Sequence, residues 1–275
     1  MIKKIYNQKY KDIIDNIDYF VERFLLDGVL FFNNLELDKF QEWNLMCLLG
    51  DKIGFKPNGN SGSNPTLPYS SSINEDHKNT FQRHNRHILD NEIFIEWHLE
   101  NLHKDSPQVA ALWNMIKITC PKEYGKTGFI NMENLYSDLS IDLKNFLDNS
   151  KIQLSFSTND LGQLITNNDN VESEKLMVVK HHPYTNKKVL RIPLYEDEYT
   201  FSNNIDQNKI NEIQSIIKLA MSEDSNYSNW IMWEKNDVVI VDLFVMAHAV
   251  KGGFYLGERI FSRIWAYESD PSVVI

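Results

Sequence analysis

His98, Glu100 and His248 are the residues of this chain whose types and spacing could support metal chemistry. His98 and Glu100 stand two positions apart within residues 93–103. If this stretch is extended, both side chains point to the same face, because strand side chains alternate. A helix would instead separate them by about 200° around its axis. Taken alone, the pair is most simply interpreted as a surface histidine and glutamate.

His248 lies inside an apolar run, between Ala247 and Ala249. A histidine there either finds a hydrogen-bond partner in the core or binds a metal through its neutral ring. Alone, it is most simply a core histidine, because a metal site needs several ligands. Together with His98 and Glu100, it forms the two-histidine, one-carboxylate pattern that leaves three positions open on Fe(II).

The elements that must position these residues are predicted from apolar periodicity and turn residues. Before His248, a run of β-branched residues at 238–241 predicts a buried strand, followed by a turn around Asp242. After it, Gly252 and Gly253 predict a loop that leads into a strand carrying Arg259 and Arg263. The sequence therefore predicts that His248 lies in a second apolar run, after one strand and before another.

Apolar residues at three- and four-residue steps predict helices over residues 10–26 and 208–221. Asp38 and Gln41 form a capping box for a helix to residue 49, closed by Gly50 and Gly54. Strands are predicted at 29–32 and 110–120, and a hairpin joins residues 178–183 to 188–192. Helical segments are predicted from residue 129 through 139 and over 141–146.

Composition narrows the class of protein. The chain has 275 residues, a formal charge of −10, a pI near 5.3 and two cysteines. This charge argues against nucleic acid or an anionic membrane as the main partner, and two cysteines argue against a disulfide framework or thiolate zinc site. We expect a single cytosolic domain over residues 1–275. The Gly-, Ser- and Asn-rich loop at 57–79 is a candidate lid, with an interdomain linker as the alternative.

Several motifs resemble one enzyme family in the same order along most of the chain. They are WHLE, GKTGF, HHPYTNKKVL and NDVVIVDLFVMAHAVKGGFYLGERIFSR. These segments are similar to those of the taurine dioxygenase superfamily of Fe(II)- and 2-oxoglutarate-dependent oxygenases. The resemblance implies a mainly β fold with packed helices (α+β), a distorted double-stranded β-helix of the cupin-like jelly-roll type, with the helices on one sheet.

The resemblance also implies roles for individual residues. His98, Glu100 and His248 would be the metal ligands, and Arg259 with Thr127 would hold the distal carboxylate of 2-oxoglutarate. Arg263 would face an anionic group of the substrate. A guanidinium suits these roles because its rigid fork matches a carboxylate bidentately. The expected partners are Fe(II), 2-oxoglutarate, dioxygen and a small-molecule substrate; the sequence does not predict an oligomeric state.

One departure from the family pattern bears on the substrate. Glu100 replaces the aspartate of most members, as in the clavaminate synthase-like branch, which favours an amino-acid-like substrate and argues against halogenation. Hydroxylation is the expected outcome, with desaturation or oxidative decarboxylation as neighbours. A zinc hydrolase and a non-catalytic jelly-roll binding protein stay as alternatives for the same three ligands.

The remaining histidines are not expected to bind metal. His181 and His182 are interpreted as part of the hairpin structure. No role is predicted for His84, His87 and His103, whose default interpretation is a solvent-exposed or hydrogen-bonded side chain.

Overall fold

The computed structural model describes most of the chain. It describes residues 2–58, 93–100, 102, 108–154, 156–158, 164–166, 175–203, 205–254 and 258–268. The helices are α1 (Tyr10–Asp15), α2 (Ile17–Asp27), α3 (Lys39–Ile53), α4 (Met132–Ser137), α5 (Ile141–Asp148) and α6 (Gln207–Ala220), with a short 3-10 helix at Glu196–Glu198. The strands are β1 (Lys4–Ile5), β2 (Val29–Phe32), β3 (Phe55–Asn58), β4 (Ile93–His98), β5 (Gln108–Ile118), β6 (Thr127–Asn131), β7 (Lys151–Leu154), β8 (Phe156–Thr158), β9 (Leu164–Thr166), β10 (Lys175–Met177), β11 (Val179–His181), β12 (Lys188–Leu190), β13 (Tyr199–Phe201), β14 (Ser228–Ile231), β15 (Val238–Asp242), β16 (Met246–Lys251) and β17 (Arg259–Glu268).

The larger sheet has six strands in the order β1-β2-β15-β5-β17-β3. Both of its faces are covered, so β15 is apolar at consecutive positions rather than at alternate ones. Val238 and Ile240 pack with α2 and α3 on one face, whereas Val239 and Val241 belong to the core between the sheets. The predicted strand over 238–241 is confirmed, and it is the strand that leads to His248.

The helices at the start of the chain cover the outer face of this sheet. The Asp38–Gln41 capping box begins α3 as predicted, and Gly54 ends it with a left-handed φ of 116°. Gly50 lies inside α3 rather than closing it. The helix predicted over residues 10–26 is interrupted at Asn16, whose backbone (φ −120°, ψ 28°) leaves the helical region and separates α1 from α2.

The second sheet has the order β14-β6-β16-β4 and faces the larger one across the main core. Two facing sheets with helices on the outside of one of them match the jelly-roll prediction. The prediction that residues 129–130 enter a helix is wrong. Phe129 and Ile130 lie in β6, where they pair with β16, and the helix begins only at Met132, with Asn131 as its cap.

Three smaller ladders complete the described part: β10-β7-β13, β8-β9 and the predicted hairpin β11-β12. The predicted loop at 57–79 begins differently, because Pro57 and Asn58 belong to β3 and pair with Ala266 and Trp265. The rest of that loop, residues 59–79, lies outside the described residues. Within the described ranges, no helix combines the length and the apolar character that crossing a bilayer requires.

Candidate metal and co-substrate site

The three predicted metal ligands meet beside β16 and the edge strand β4 of the second sheet. His98 and His248 are paired across β4 and β16, and their ring centroids are 4.1 Å apart. The Oε1 atom of Glu100 lies 3.5 Å from Nε2 of His98 and 3.7 Å from Nε2 of His248. One potential ligand atom from each residue falls within 4.8 Å of the others. Strand β4 ends at His98, however, so Glu100 lies in the turn beyond it rather than on the extended face assumed from the sequence.

A backbone contact orients His98 for metal binding. Its Nδ1 atom lies 2.8 Å from the carbonyl oxygen of Glu96. Because a carbonyl only accepts, Nδ1 carries a hydrogen, which leaves Nε2, the ring nitrogen nearest Glu100, as the atom of His98 that can bind a metal. This pattern, in which the second ring nitrogen donates to a carbonyl, is typical of metal-binding histidines. Nδ1 of His248 is buried and makes no hydrogen bond of good geometry. The nearby Met246 backbone acts to raise the pKa of the ring.

The protonation states of Glu100 and His248 favour a cation at this position. Burial alone would raise the pKa of Glu100, but His98, His248 and the more distant Arg191 lower it to about 2. Burial and the adjacent His98 lower the pKa of His248 to about 3. At neutral pH, Glu100 is therefore a carboxylate and His248 a neutral imidazole, which are the forms that bind a metal. The donor set of two imidazoles and one carboxylate fits Fe(II) with open positions.

Two aromatic side chains form an apolar wall beside His248. Trp113 on β5 lies 5.3 Å from the His248 ring, and Phe129 on β6 stacks on Trp113 at 5.9 Å. Trp113 and Phe129 are 7 % and 0 % exposed. The wall removes water from one side of the site and strengthens the electrostatic interactions there. Sequence analysis placed Trp113 in a strand but gave it no role, because its contact with His248 joins distant strands.

Arg259 and Thr127 form the second polar centre of the core. Arg259 donates from Nη2 to the Thr127 hydroxyl (2.8 Å) and from Nε to the Gly125 carbonyl (2.9 Å). Trp233 also donates to the Thr127 hydroxyl oxygen, at 2.9 Å. With both of its lone pairs accepting, Thr127 can direct its own hydrogen to a further acceptor. Gly125 has a φ of 62°, and a Cβ there would lie 3.1 Å from Arg259, so the close approach requires glycine.

This second centre lies on the same side of the sheet as the metal ligands. Thr127 pairs with Val250 and Phe129 pairs with His248, so Thr127 is two residues along β6 from the position opposite His248. That offset corresponds to about 7 Å, a distance that a five-carbon dicarboxylate can bridge. Burial lowers the pKa of Arg259 to about 9, which leaves the guanidinium protonated at neutral pH. Within the described residues, Arg259 forms no ion pair, so it is a buried cation without an anionic partner.

Arg263 lies on the inner face of β17. It is half-buried and is paired with Trp113 across the β5–β17 ladder. Its guanidinium lies 5.5 Å from the ring of Trp265, which packs against the main core. Its side chain is therefore not fully exposed to solvent. Trp113, its partner across the ladder, is one of the two residues of the apolar wall beside His248.

The hairpin histidines behave as predicted, and one of them supports the site indirectly. His182 is buried and donates from Nε2 to Asp242 (2.9 Å), while its Nδ1 accepts from the backbone of Thr185 (3.1 Å). Asp242 in turn accepts from the backbone nitrogens of Phe244 and Val245, in the turn before β16. This pair fixes the entry to the strand that carries His248. His84, His87 and His103 lie outside the described residues.

A family model matches most of the chain. The family model described as "Taurine catabolism dioxygenase TauD, TfdA family" matches residues 10–265. A structure described as a putative alpha-ketoglutarate-dependent taurine dioxygenase from Burkholderia xenovorans is 15 % identical, with a TM-score of 0.64 over 97 % of this chain and 86 % of its own.

Two further solved structures show the same fold similarity. A taurine dioxygenase from Burkholderia xenovorans is 16 % identical, with a TM-score of 0.62 over 93 % of this chain and 81 % of its own. AAD-2 in complex with Mn(II) and N-oxalylglycine is 13 % identical, with a TM-score of 0.62 over 99 % and 96 %. None of the curated proteins compared with the chain matches it.

Proposed function

The chain belongs to the TauD, TfdA family of 2-oxoglutarate-dependent non-haem iron dioxygenases, and on this premise we propose that His98, Glu100 and His248 are its Fe(II) ligands. The observation that supports this proposal is that two imidazole nitrogens and one carboxylate oxygen lie within 4.8 Å of one another. A facial set of three protein ligands leaves three metal positions for co-substrate and dioxygen. Residues 1–275 would then form one catalytic domain.

Arg259 and Thr127 bind the distal carboxylate of 2-oxoglutarate in this proposal. The observation that carries it is the buried Arg259 guanidinium, 3 % exposed and without an ion-pair partner among the described residues, beside a hydroxyl whose lone pairs are already occupied. A carboxylate placed there would accept from the guanidinium and from the Thr127 hydroxyl. Such charge-assisted hydrogen bonds are stronger than neutral ones. A zinc hydrolase would have no use for this second centre.

The primary substrate is a small carboxylate-bearing molecule that resembles an amino acid. Arg263 supports this class, because it lies on the inner face of β17 opposite Trp113 and can match a carboxylate bidentately. Glu100 supports it through the clavaminate synthase-like pattern. The acidic chain argues against a polyanionic substrate. The cell compartment proposed for this reaction is the cytosol.

Hydroxylation of an unactivated C–H is the reaction proposed for this substrate, with desaturation as the neighbouring outcome. When bound, Fe(II), 2-oxoglutarate and dioxygen would supply the oxidising chemistry: 2-oxoglutarate would lose carbon dioxide and gain one oxygen atom of dioxygen to give succinate, and the other oxygen atom would become the hydroxyl of the product. The protein binds and orients the participants: the triad holds the metal, Arg259 and Thr127 hold the co-substrate, and Arg263 directs the substrate. Trp113 and Phe129 keep water from the side of His248.

Anaerobic titration with Fe(II) and 2-oxoglutarate tests the proposed site. The intact protein should give the weak visible charge-transfer band of the iron chelate, and His248→Ala should lose it. Folded protein without the band would favour the zinc hydrolase. Succinate release should then be measured with a panel of amino acids and other small carboxylates. Arg263→Met should raise the KM for the accepted substrate while leaving the chelate band unchanged; an unchanged KM would refute the role of Arg263.

A further inference from the structure

Arg191 is a buried cation beside the candidate metal site, and its hydrogen bonds go entirely to main-chain carbonyls. The residue is 2 % exposed. Its Nη1 atom donates to the carbonyl of Phe244 (2.9 Å) and, more weakly, to that of Leu243 (3.4 Å). Its Nη2 atom donates to the carbonyl of Glu100 (2.8 Å). A buried guanidinium is costly to keep in a core, so an arginine here calls for a role that an apolar residue could not fill.

The carbonyls that Arg191 contacts belong to the two segments that carry the predicted ligands. Leu243 and Phe244 form the turn that enters β16 and leads to His248. Glu100 follows β4, two residues beyond its last strand position. The β4–β16 ladder pairs His98 with His248, but it does not extend to Glu100. Among the described residues, Arg191 is the hydrogen-bond partner of the Glu100 main chain.

Arg191 is itself held firmly enough to transmit this restraint. Its backbone nitrogen donates to the carbonyl of Val178 (2.7 Å), next to the β11–β12 hairpin. Its guanidinium stacks over the ring of Phe244 at 4.6 Å. The turn that it contacts is fixed from the other side by Asp242, which caps two of its backbone nitrogens and accepts from His182. The hairpin, the turn and Glu100 therefore form one connected unit.

We propose that Arg191 is a positioning residue that sets where the Glu100 carboxylate meets the metal, by tying the Glu100 main chain to the start of β16. This inference rests on the proposed role of Glu100 as a ligand. Glutamate has one more rotatable bond than aspartate, so its carboxylate depends more on a fixed main chain. The planar fork of arginine can bridge carbonyls from two segments, whereas the ammonium of lysine acts as a compact point charge.

Binding of Co(II) to the metal-free full-length protein, followed by visible absorption, tests the inference. Arg191→Met should lower the Co(II) affinity by about tenfold or more and change the absorption spectrum, as removal of residues that support metal ligands does elsewhere. Arg191→Lys should give an intermediate affinity. Lys188→Met is the matched control, because Lys188 belongs to the same hairpin but forms a partly exposed pair with Asp148. Its affinity and spectrum should stay at wild-type values.

A second background separates positioning from general loosening of the fold. In Glu100→Ala protein, Arg191→Met should change the Co(II) affinity by no more than about twofold, because the carboxylate that it positions is gone. An equal loss in both backgrounds, or an unchanged affinity and spectrum in the single variant, would overturn the inference. If Arg191→Met does not fold, Arg191→Lys is compared across the same two backgrounds.

Different results would show that the proposed metal site itself is wrong. If wild-type protein bound no Co(II), or if Glu100→Ala bound it as tightly as wild type, Glu100 would not be a ligand. Both the proposed site and the Arg191 inference would then be refuted. If Glu100→Ala weakens binding but Arg191→Met does not, only the Arg191 inference is refuted.

Discussion

Two arginines are buried in the core around the site, and their guanidinium groups have different partners. Arg191 and Arg259 are 2 % and 3 % exposed, and burial lowers their pKa values to about 10 and about 9. The three hydrogen bonds of Arg191 go to main-chain carbonyls. Arg259 donates one hydrogen bond to the Gly125 carbonyl and one to the Thr127 hydroxyl, and its Nη1 makes none with the described residues.

The difference indicates which arginine stabilises the fold and which one receives a ligand. Arg191 joins protein segments, and the neighbouring His182–Asp242 pair serves the same turn. Arg259 donates to a carbonyl and to a hydroxyl, and its Nη1 has no partner among the described residues, although Nε of Arg191 also lacks one. Burial and charge alone do not separate the two residues, because both are protonated at neutral pH. The identity of the acceptors does, so substitutions in the two regions should affect different measurements.

The largest effect on stability is expected in the Arg191 region, at His182. In His182→Ala, one oxygen of the buried Asp242 carboxylate loses its partner, which should lower the free energy of unfolding by about 3–5 kcal/mol. Chemical denaturation measures the loss. His181→Ala is the matched control, because His181 is the exposed residue that precedes His182, at the end of β11, and its loss should cost no more than about 0.5 kcal/mol. Equal losses in the two variants would mean that the Asp242 contact stabilises nothing.

Arg259→Met should give the opposite result in the second region. Loss of a charge-assisted contact of about 2–3 kcal/mol should weaken 2-oxoglutarate binding by about 100-fold, measured by titration of the iron chelate band. The free energy of unfolding should change by no more than about 1 kcal/mol, because a buried cation without an ion-pair partner is replaced by an apolar side chain.

The same substitution therefore separates the two arginines. Arg259→Met should leave Co(II) affinity unchanged, whereas Arg191→Met should lower it. Similar losses of metal and co-substrate affinity in Arg259→Met would show that Arg259 has been assigned to the wrong role.

The spacing of apolar residues predicted correctly those helices and strands in which this spacing is unbroken and the ends are marked by turn or capping residues. The buried strand at 238–241 and the capped helix after Asp38 are examples. It failed at Phe129 and Ile130, where an apolar run continues from a strand into a helix and contains no turn residue that marks the boundary. It also joined α1 and α2, because a single backbone change at Asn16 does not interrupt the apolar spacing.

The candidate site was predicted where a side chain belongs to a recognisable motif. His98, Glu100, His248, Thr127 and Arg259 were all identified in this way, and the structure brings the three candidate ligands together. Arg191 and the partner of His182 were missed. Their roles depend on contacts between residues 91 and 60 positions apart, which no local pattern encodes. The sequence feature that could have pointed to Arg191 is its position directly after a buried hairpin strand, and this feature alone is weak evidence for a role at the site.

The smallest effect is expected at Thr127, and it tests whether the hydroxyl serves the ligand or the fold. Thr127→Val keeps the shape of the side chain but removes the hydroxyl, so 2-oxoglutarate should bind about tenfold more weakly, equivalent to roughly 1.4 kcal/mol. Thr127→Ser keeps the hydroxyl and should stay within about threefold of wild type.

Thr127→Val has a second effect. Arg259 and Trp233 both donate to the Thr127 hydroxyl, so both lose an acceptor in this variant. The free energy of unfolding should therefore be measured beside the 2-oxoglutarate affinity, where a loss of about 1–3 kcal/mol is expected for donors left unsatisfied. If Thr127→Val lowers stability but binds 2-oxoglutarate as wild type does, the hydroxyl only organises Arg259 and Trp233. A parallel loss of affinity in the serine variant would instead point to the packing of the threonine methyl group.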